Sequence, residues 1–143
     1  MTTETLKQFI VAYTEDVWNQ HRVESIDKYY AGHYLHHDVS RPDVTTITGY
    51  KQWARDLIAA FSNLHVTADA VIAENDMAVK RWTATGVHTG VLAGIPPSGS
   101  TVRFSGVSIY RLEDDRIVES WYVYDLFGLI QQVTTPAAAS ASR

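Results

Sequence analysis

Apolar positions change period once along this 143-residue chain. Leu6, Phe9, Ile10, Tyr13 and Val17 recur at helical spacing, with Thr3 or Thr5 available as a cap. A short second helix fits Val23, Ile26, Tyr29 and Tyr30. A third, over YKQWARDLIAAFSN, puts Trp53, Leu57, Ala60 and Phe61 on one stripe. Between these two, after Gly32, YLHHDV reads as a short extended segment, and the loop SRPDVTTITG follows. From residue 64 the period becomes that of strands. LHVTADAVIAE, MAVKRWTATGVHTG, TVRFSGVSIYRL and RIVESWYVYDLF are rich in Val, Ile, Thr and aromatics, and END, GIPPSGS and EDD separate them as turns.

Helices first and strands last predict an α+β fold with helices on one face of a sheet. Long strands in one sheet twist and coil. The expected architecture is therefore a cone-shaped α+β barrel, with a strongly curved, mostly antiparallel sheet and N-terminal helices closing a pocket. Residues 1–133 are expected to form one domain. The small, polar residues 134–143 are expected to form a disordered tail.

The EDDR turn sets a register. With Asp114 and Asp115 at its centre, Glu113 opposes Arg116, Tyr110 opposes Glu119, Ser108 opposes Trp121, Gly106 opposes Val123 and Phe104 opposes Asp125. Tyr110, Ser108, Gly106, Phe104 and their four partners share one face, the expected pocket face. Val107, Ile109, Val118, Ser120, Tyr122 and Tyr124 share the other. A one-residue slip would exchange the two sets. The apolar set Val107, Ile109, Tyr122 and Tyr124 points to a homodimer or higher homo-oligomer.

In this register Asp125 lies among Trp121, Val123 and Phe104, where a carboxylate could serve as a base. It is equally suited to cap a short helix starting near Leu126. His37 shares a face with Leu35 and Val39 and is the better interior candidate of the His36–His37 pair; the alternative is a hydrogen-bonded core histidine. His88, in GVHTG, sits where a rim residue or a turn residue would. Trp53, Phe61, Trp82, Phe104 and Trp121 could wall a pocket for a flat ligand or simply fill the core.

Composition narrows the chemistry. The chain has no cysteine, which removes disulfides, thiol catalysis and cysteine-bound zinc. A net charge of -4 without a Lys/Arg cluster argues against nucleic acid. No stretch has the length of a membrane span and the N-terminus lacks a secretory pattern, so a cytoplasmic protein is expected. HHD alternates its ligand atoms between faces, which argues against a metal site. No GxSxG, P-loop or dinucleotide-binding glycine pattern occurs.

RWTATGVHTG (81–90), GIPPSG (94–99), IYR (109–111), and IVESW followed by Asp125, Gly128, Leu129 and Gln132 resemble the SnoaL-like polyketide cyclase family. The likeness is densest over 76–132 and extends weakly upstream through LHHD. It implies the cone-shaped fold shared with nuclear transport factor 2 and ketosteroid isomerase. It also implies intramolecular aldol chemistry on an aromatic polyketide without metal or cofactor. The family's acid/base aspartate matches Asp125, and its common histidines match His37 and His88. Two positions depart from the pattern: Ser120 stands where a histidine is frequent, and Asp114-Asp115 replaces the usual Asp-Gly turn.

The expected function is cofactor-independent proton abstraction next to a carbonyl on a small, apolar, aromatic substrate. Asp125 would be the acid/base, and His37 or His88 an oxyanion donor. Epoxide hydrolysis would need two converging carboxylates and an arginine, for which Asp125 and Arg81 are partial candidates. A non-catalytic small-molecule binding module of the same fold is the third reading.

Overall fold

The computed structural model describes residues 1–135. Helix α1 (Thr3–Tyr13) is capped by Thr2, whose hydroxyl accepts from the Thr5 amide at 3.1 Å. It runs on as a π-helical turn over Thr14–Asn19, and a 3-10 segment follows at Val23–Lys28. Strand β1 (Tyr30–Asp38) leads into α2 (Ile47–Ala60), which Thr46 caps. The meander β2 (Phe61–Glu74), β3 (Met77–His88), β4 (Thr101–Glu113) and β5 (Arg116–Tyr124) follows, and α3 (Leu126–Thr134) closes the fold.

The strands lie in the order β1-β5-β4-β3-β2 in one mixed sheet, antiparallel except where β1 runs parallel to β5. The α+β cone anticipated from the change of period is the observed fold. The extended segment YLHHDV becomes an edge strand of the same sheet. Phe61 opens β2 opposite His88 instead of ending α2, so the third helix stops earlier than its apolar stripe suggests. Thr134 ends α3, and the rest of the expected tail beyond Thr135 lies outside the described residues.

The hairpin turn forms where expected. Asp114 and Asp115 both take positive φ, 50° and 59°, and Glu113 opposes Arg116. One residue later the register shifts. Leu112 pairs Ile117 but Arg111 pairs Glu119, so Val118 is extra. Ile117 and Val118 are both buried, as two successive residues in a bulge can be. From there on β5 is inverted relative to the expected register. Ser120 and Tyr122 face inward and are buried, with half-buried Tyr124 beyond them. Glu119, Trp121 and Val123 alternate to the outer face. Tyr122 and Tyr124 therefore leave the outer apolar set, which keeps exposed Val107 and half-buried Ile109 and gains exposed Val123.

Candidate active site

The helices and the concave side of the sheet enclose a cavity of about 650 Å³. Its sheet wall is built in rungs, one residue from each strand. Lys80 of β3 pairs Ser108 of β4, which pairs Tyr122 of β5, which pairs Asp38 of β1. The next rung is Trp82, Gly106 and Tyr124, and beyond it Ala84 pairs Phe104. Lys80, Ser108, Tyr122, Trp82, Tyr124 and Phe104 all line the cavity. Trp18, Trp53 and Leu57 cover it from the helices, and residues 90–94 form its lip.

The deep rung is polar. Trp82 Nε1 donates to Ser108 Oγ at 3.0 Å, leaving the serine proton free to point elsewhere. Tyr122 belongs to a knot of hydroxyls: it lies 2.8 Å from that of Tyr50 and 3.2 Å from that of Tyr13. The Tyr30 hydroxyl donates to Tyr13 at 2.8 Å, and Trp18 Nε1 donates to Tyr13 at 2.9 Å. Burial raises the pKa of all four tyrosines, so they act here as neutral hydrogen-bonding groups.

Asp38 is buried, and it meets the cavity through Tyr124. The Tyr124 hydroxyl donates to Asp38 Oδ2 at 2.9 Å, and the Ser40 amide donates to Oδ1 at 2.8 Å. Desolvation pushes the Asp38 carboxyl up, against those hydrogen bonds. Burial, with the Asp38 charge beside it, also drives the Tyr124 phenol upward. Arg41 lies at the rim and is paired with Asp43 at 2.9 Å.

The residues singled out from sequence divide. Trp53, Trp82 and Phe104 line the cavity. Phe61 packs behind it against His88 and Phe104. Asp125 is exposed and caps α3, its Oδ1 accepting from the Gly128 amide at 2.9 Å. With Arg81, Arg103 and Asp69 it borders a depression on the outer side of the sheet. The bulge at Val118 is what turned it away from the cavity.

His37 also faces outward, stacked on Trp121 with centroids 5.3 Å apart and 2.8 Å from Glu119. Its neighbour His36 takes the interior position. His36 packs near Tyr50, Tyr122 and Trp53, its Nδ1 2.7 Å from the Tyr34 hydroxyl. Burial lowers its pKa to about 4, which keeps it neutral. His88 is fully buried, and its Nδ1 accepts from the Ser98 amide at 3.1 Å. It ties down the GIPPSGS loop and does not line the cavity. Sequence reasoning passed over Lys80, placed Tyr124 on the outer face, and weighed Asp38 only as a metal ligand; Ser108 it placed on the pocket face. Alternation with Trp82 for Lys80, with Tyr122 for Tyr124, and with buried His36 for Asp38 was the signal that could have marked them.

Among the described residues no three His, Asp or Glu side chains converge as metal ligands would, and no helix is long and apolar enough to cross a membrane. A sequence profile described as SnoaL-like polyketide cyclase matches residues 8–133. Among solved structures the chain is similar to TsrD from Streptomyces laurentii, at 26% identity over 94% of this chain and 98% of that one, with a TM-score of 0.83. It is similar to a candidate polyketide cyclase from Acidithiobacillus ferrooxidans, at 28% identity over 88% and 92% of the two chains, TM-score 0.79. A candidate SnoaL-like polyketide cyclase from a Jannaschia species shares the fold at 21% identity over 94% of each chain, TM-score 0.85. No curated protein matches the chain.

Proposed function

The chain belongs to the SnoaL-like polyketide cyclase family, and from that premise we propose that it binds an apolar carbonyl compound of two or more fused-ring size and moves a proton at the carbon beside the carbonyl. In a polyketide that step opens an intramolecular aldol closure. The observation that carries the reading is the contrast within the cavity. Its upper walls are Trp18, Trp53, Trp82 and Phe104, while hydrogen-bonding groups gather in the Lys80–Ser108–Tyr122 rung and in the Tyr124–Asp38 pair. A flat apolar ligand fills the first region and presents its oxygen to the second.

Asp38 supplies the basicity. Its raised pKa makes it a stronger base than a solvated carboxylate. It acts through the Tyr124 hydroxyl: as the phenol oxygen takes the substrate proton, the phenol proton passes to Asp38 Oδ2, so Tyr124 never bears a full charge. Ser108 donates its free proton to the developing enolate oxygen. The aromatic walls hold a flexible chain folded so that the carbanion meets a second carbonyl, which replaces a bimolecular search by a fixed geometry. An epoxide hydrolase would need a second buried acid, whereas Asp56 is exposed and Asp125 faces outward.

The test needs no knowledge of the natural substrate. 1-Tetralone exchanges its α-protons slowly in neutral D2O, and mass spectrometry follows the exchange. Wild-type protein is expected to accelerate it. Asp38→Asn is expected to reduce the acceleration about 10²-fold or more, the usual worth of a positioned base. Full exchange activity in Asp38→Asn and Tyr124→Phe would exclude this pair as the base.

A further inference from the structure

We infer that Lys80 is an amine nucleophile at the floor of the cavity, able to form an imine with a ketone or aldehyde carbonyl. The inference rests on the carbonyl-binding reading above but adds a covalent step to it.

The observations concern placement first. Lys80 sits at the centre of the sheet, on β3 between Val71 and Ser108, with its side chain on the cavity side. It is 2% exposed. Lys7, Lys28 and Lys51 each have a carboxylate within 4 Å, from Glu4, Asp16 and Asp27 respectively. Lys80 has none among the described residues. Its Nζ has one hydrogen-bond partner, Thr14 Oγ1 at 2.9 Å, and lies 5.2 Å from the Tyr13 ring centroid and 5.6 Å from that of Tyr110.

The groups facing Lys80 from every packed element are neutral: Tyr13 and Thr14 from the first helix, Tyr110 and Ser108 from β4, and Tyr122 from β5. An ammonium there has three donors, one acceptor and no counter-ion. A neutral amine fits the site better, and burial accordingly brings the pKa down to about 7. A lysine is seldom buried without a carboxylate partner, and this one is, with none among the described residues.

The step balances without a further reactant. The Nζ lone pair attacks the carbonyl carbon as the C=O π pair moves to oxygen. A proton passes from nitrogen to that oxygen, and with a second proton taken from water the oxygen leaves as water, giving a protonated imine. The cationic nitrogen then draws electrons from the neighbouring C–H bond. Its proton passes to water, replacing the one taken up as the oxygen left, and the pair forms the C=C bond of an enamine, a carbon nucleophile suited to closing a ring on a second carbonyl. Ser108, the cross-strand neighbour of Lys80, is placed to donate to the departing oxygen.

The experiment treats the intact protein with 1-tetralone and sodium cyanoborohydride at pH 7, then maps the adduct by peptide mass spectrometry. At that pH about half of an amine with a pKa near 7 is neutral. For an ordinary lysine the fraction is about 10³-fold smaller. The expected result is one reduced adduct at Lys80, little at Lys7, Lys28 and Lys51, and labelling that is half-maximal near pH 7. Lys80→Met, uncharged and of similar size, is expected to abolish the adduct while circular dichroism still reports the folded protein. Binding or α-proton exchange without an adduct at Lys80, or label spread evenly over the lysines, overturns the imine and leaves the carbonyl reading intact. Absence of binding and of exchange overturns both.

Discussion

Lys80→Met tests the electrostatics of the cavity floor independently of any ligand. Methionine keeps all but the terminal atom of the side-chain length and removes the charge. Lys80 titrates near 7 in the folded protein, against an ordinary value of 10.5. Below pH 7 both folded and unfolded chains hold the proton, and the native state bears the whole cost of a buried ammonium, about 5 kcal/mol. Between pH 7 and 10.5 the native state releases its proton first. The unfolded chain then binds more protons, so stability rises with pH. Above 10.5 the cost has vanished. The same linkage relation puts the cost at about 5 kcal/mol at pH 6 and about 2 kcal/mol at pH 9. The stability of Lys80→Met relative to wild type should therefore fall by about 3 kcal/mol across that interval. Loss of the Thr14 hydrogen bond and of the Tyr13 and Tyr110 contacts displaces the comparison without supplying that slope. Urea unfolding of both proteins at pH 6, 7, 8 and 9 and constant ionic strength measures it, because every other titrating group cancels. A difference that does not change with pH would refute a charge-burial cost at Lys80.

Other perturbations read other parts of the site. Gly106→Ala places a Cβ 2.6 Å from the Val123 carbonyl oxygen and 2.7 Å from both Trp82 Cζ2 and Tyr124 Cβ. It should cost about 1–3 kcal/mol in urea unfolding and weaken tetralone binding, since two cavity walls must move. Asp125→Ala removes the cap of α3 and should cost about 1 kcal/mol, while Asp125→Asn should be close to neutral. Neither should slow tetralone exchange, and a large loss of exchange in Asp125→Asn would restore this carboxylate as the base. His36 titrates at about 4 when folded. From pH 6.5 down to 4 the unfolded chain binds a proton the native state does not, so stability should fall by about 3 kcal/mol over that window. The loss should be absent in His36→Leu, measured by the same unfolding series.

The fold was legible because its signals are local. Helical spacing over Leu6–Val17, turn residues at END and EDD, and β-branched runs after residue 64 each act within one element. Asp114-Asp115 even specified its own turn, with both residues accepting positive φ. The face of β5 was not local. A single extra residue, Val118, reverses every side chain after it. The adjacent apolar pair Ile117-Val118 is the one trace of that bulge in the sequence. Such pairs also occur in regular strands covered on both faces, so the trace does not decide.

The histidine choice failed for a different reason, and that reason explains the site. His37 was favoured because it shares a face with Leu35 and Val39, yet these are 50% and 91% exposed. In β1 the inward residues are Tyr34, His36 and Asp38, all buried. Inward residues further across the sheet include Lys80, Ser108, Tyr110, Ser120 and Tyr122. The cavity face thus carries more buried polar groups than a core face usually does, although most of the charge, Arg81, Arg103, Arg111 and Glu119 included, stays on the outer face. Such a face is tolerable only when its polar groups find one another, as Tyr34 finds His36 and Ser120, and as Tyr124 finds Asp38. Those partnerships join strands far apart in sequence, so no pattern along one strand reveals them. They also constrain the chemistry. The inward positions of β5 after the bulge offer Ser120, Tyr122 and Tyr124 but no carboxylate. Basic groups must therefore come from other strands of the sheet, and these bring Asp38 from β1 and Lys80 from β3. Tyr122 and Ser108 lie between them in one rung, so the sheet spans about 14 Å, three strand spacings, from one basic group to the other. A substrate reaching both Lys80 and Tyr124, through which Asp38 meets the cavity, is of extended, fused-ring size, which the apolar walls also accommodate.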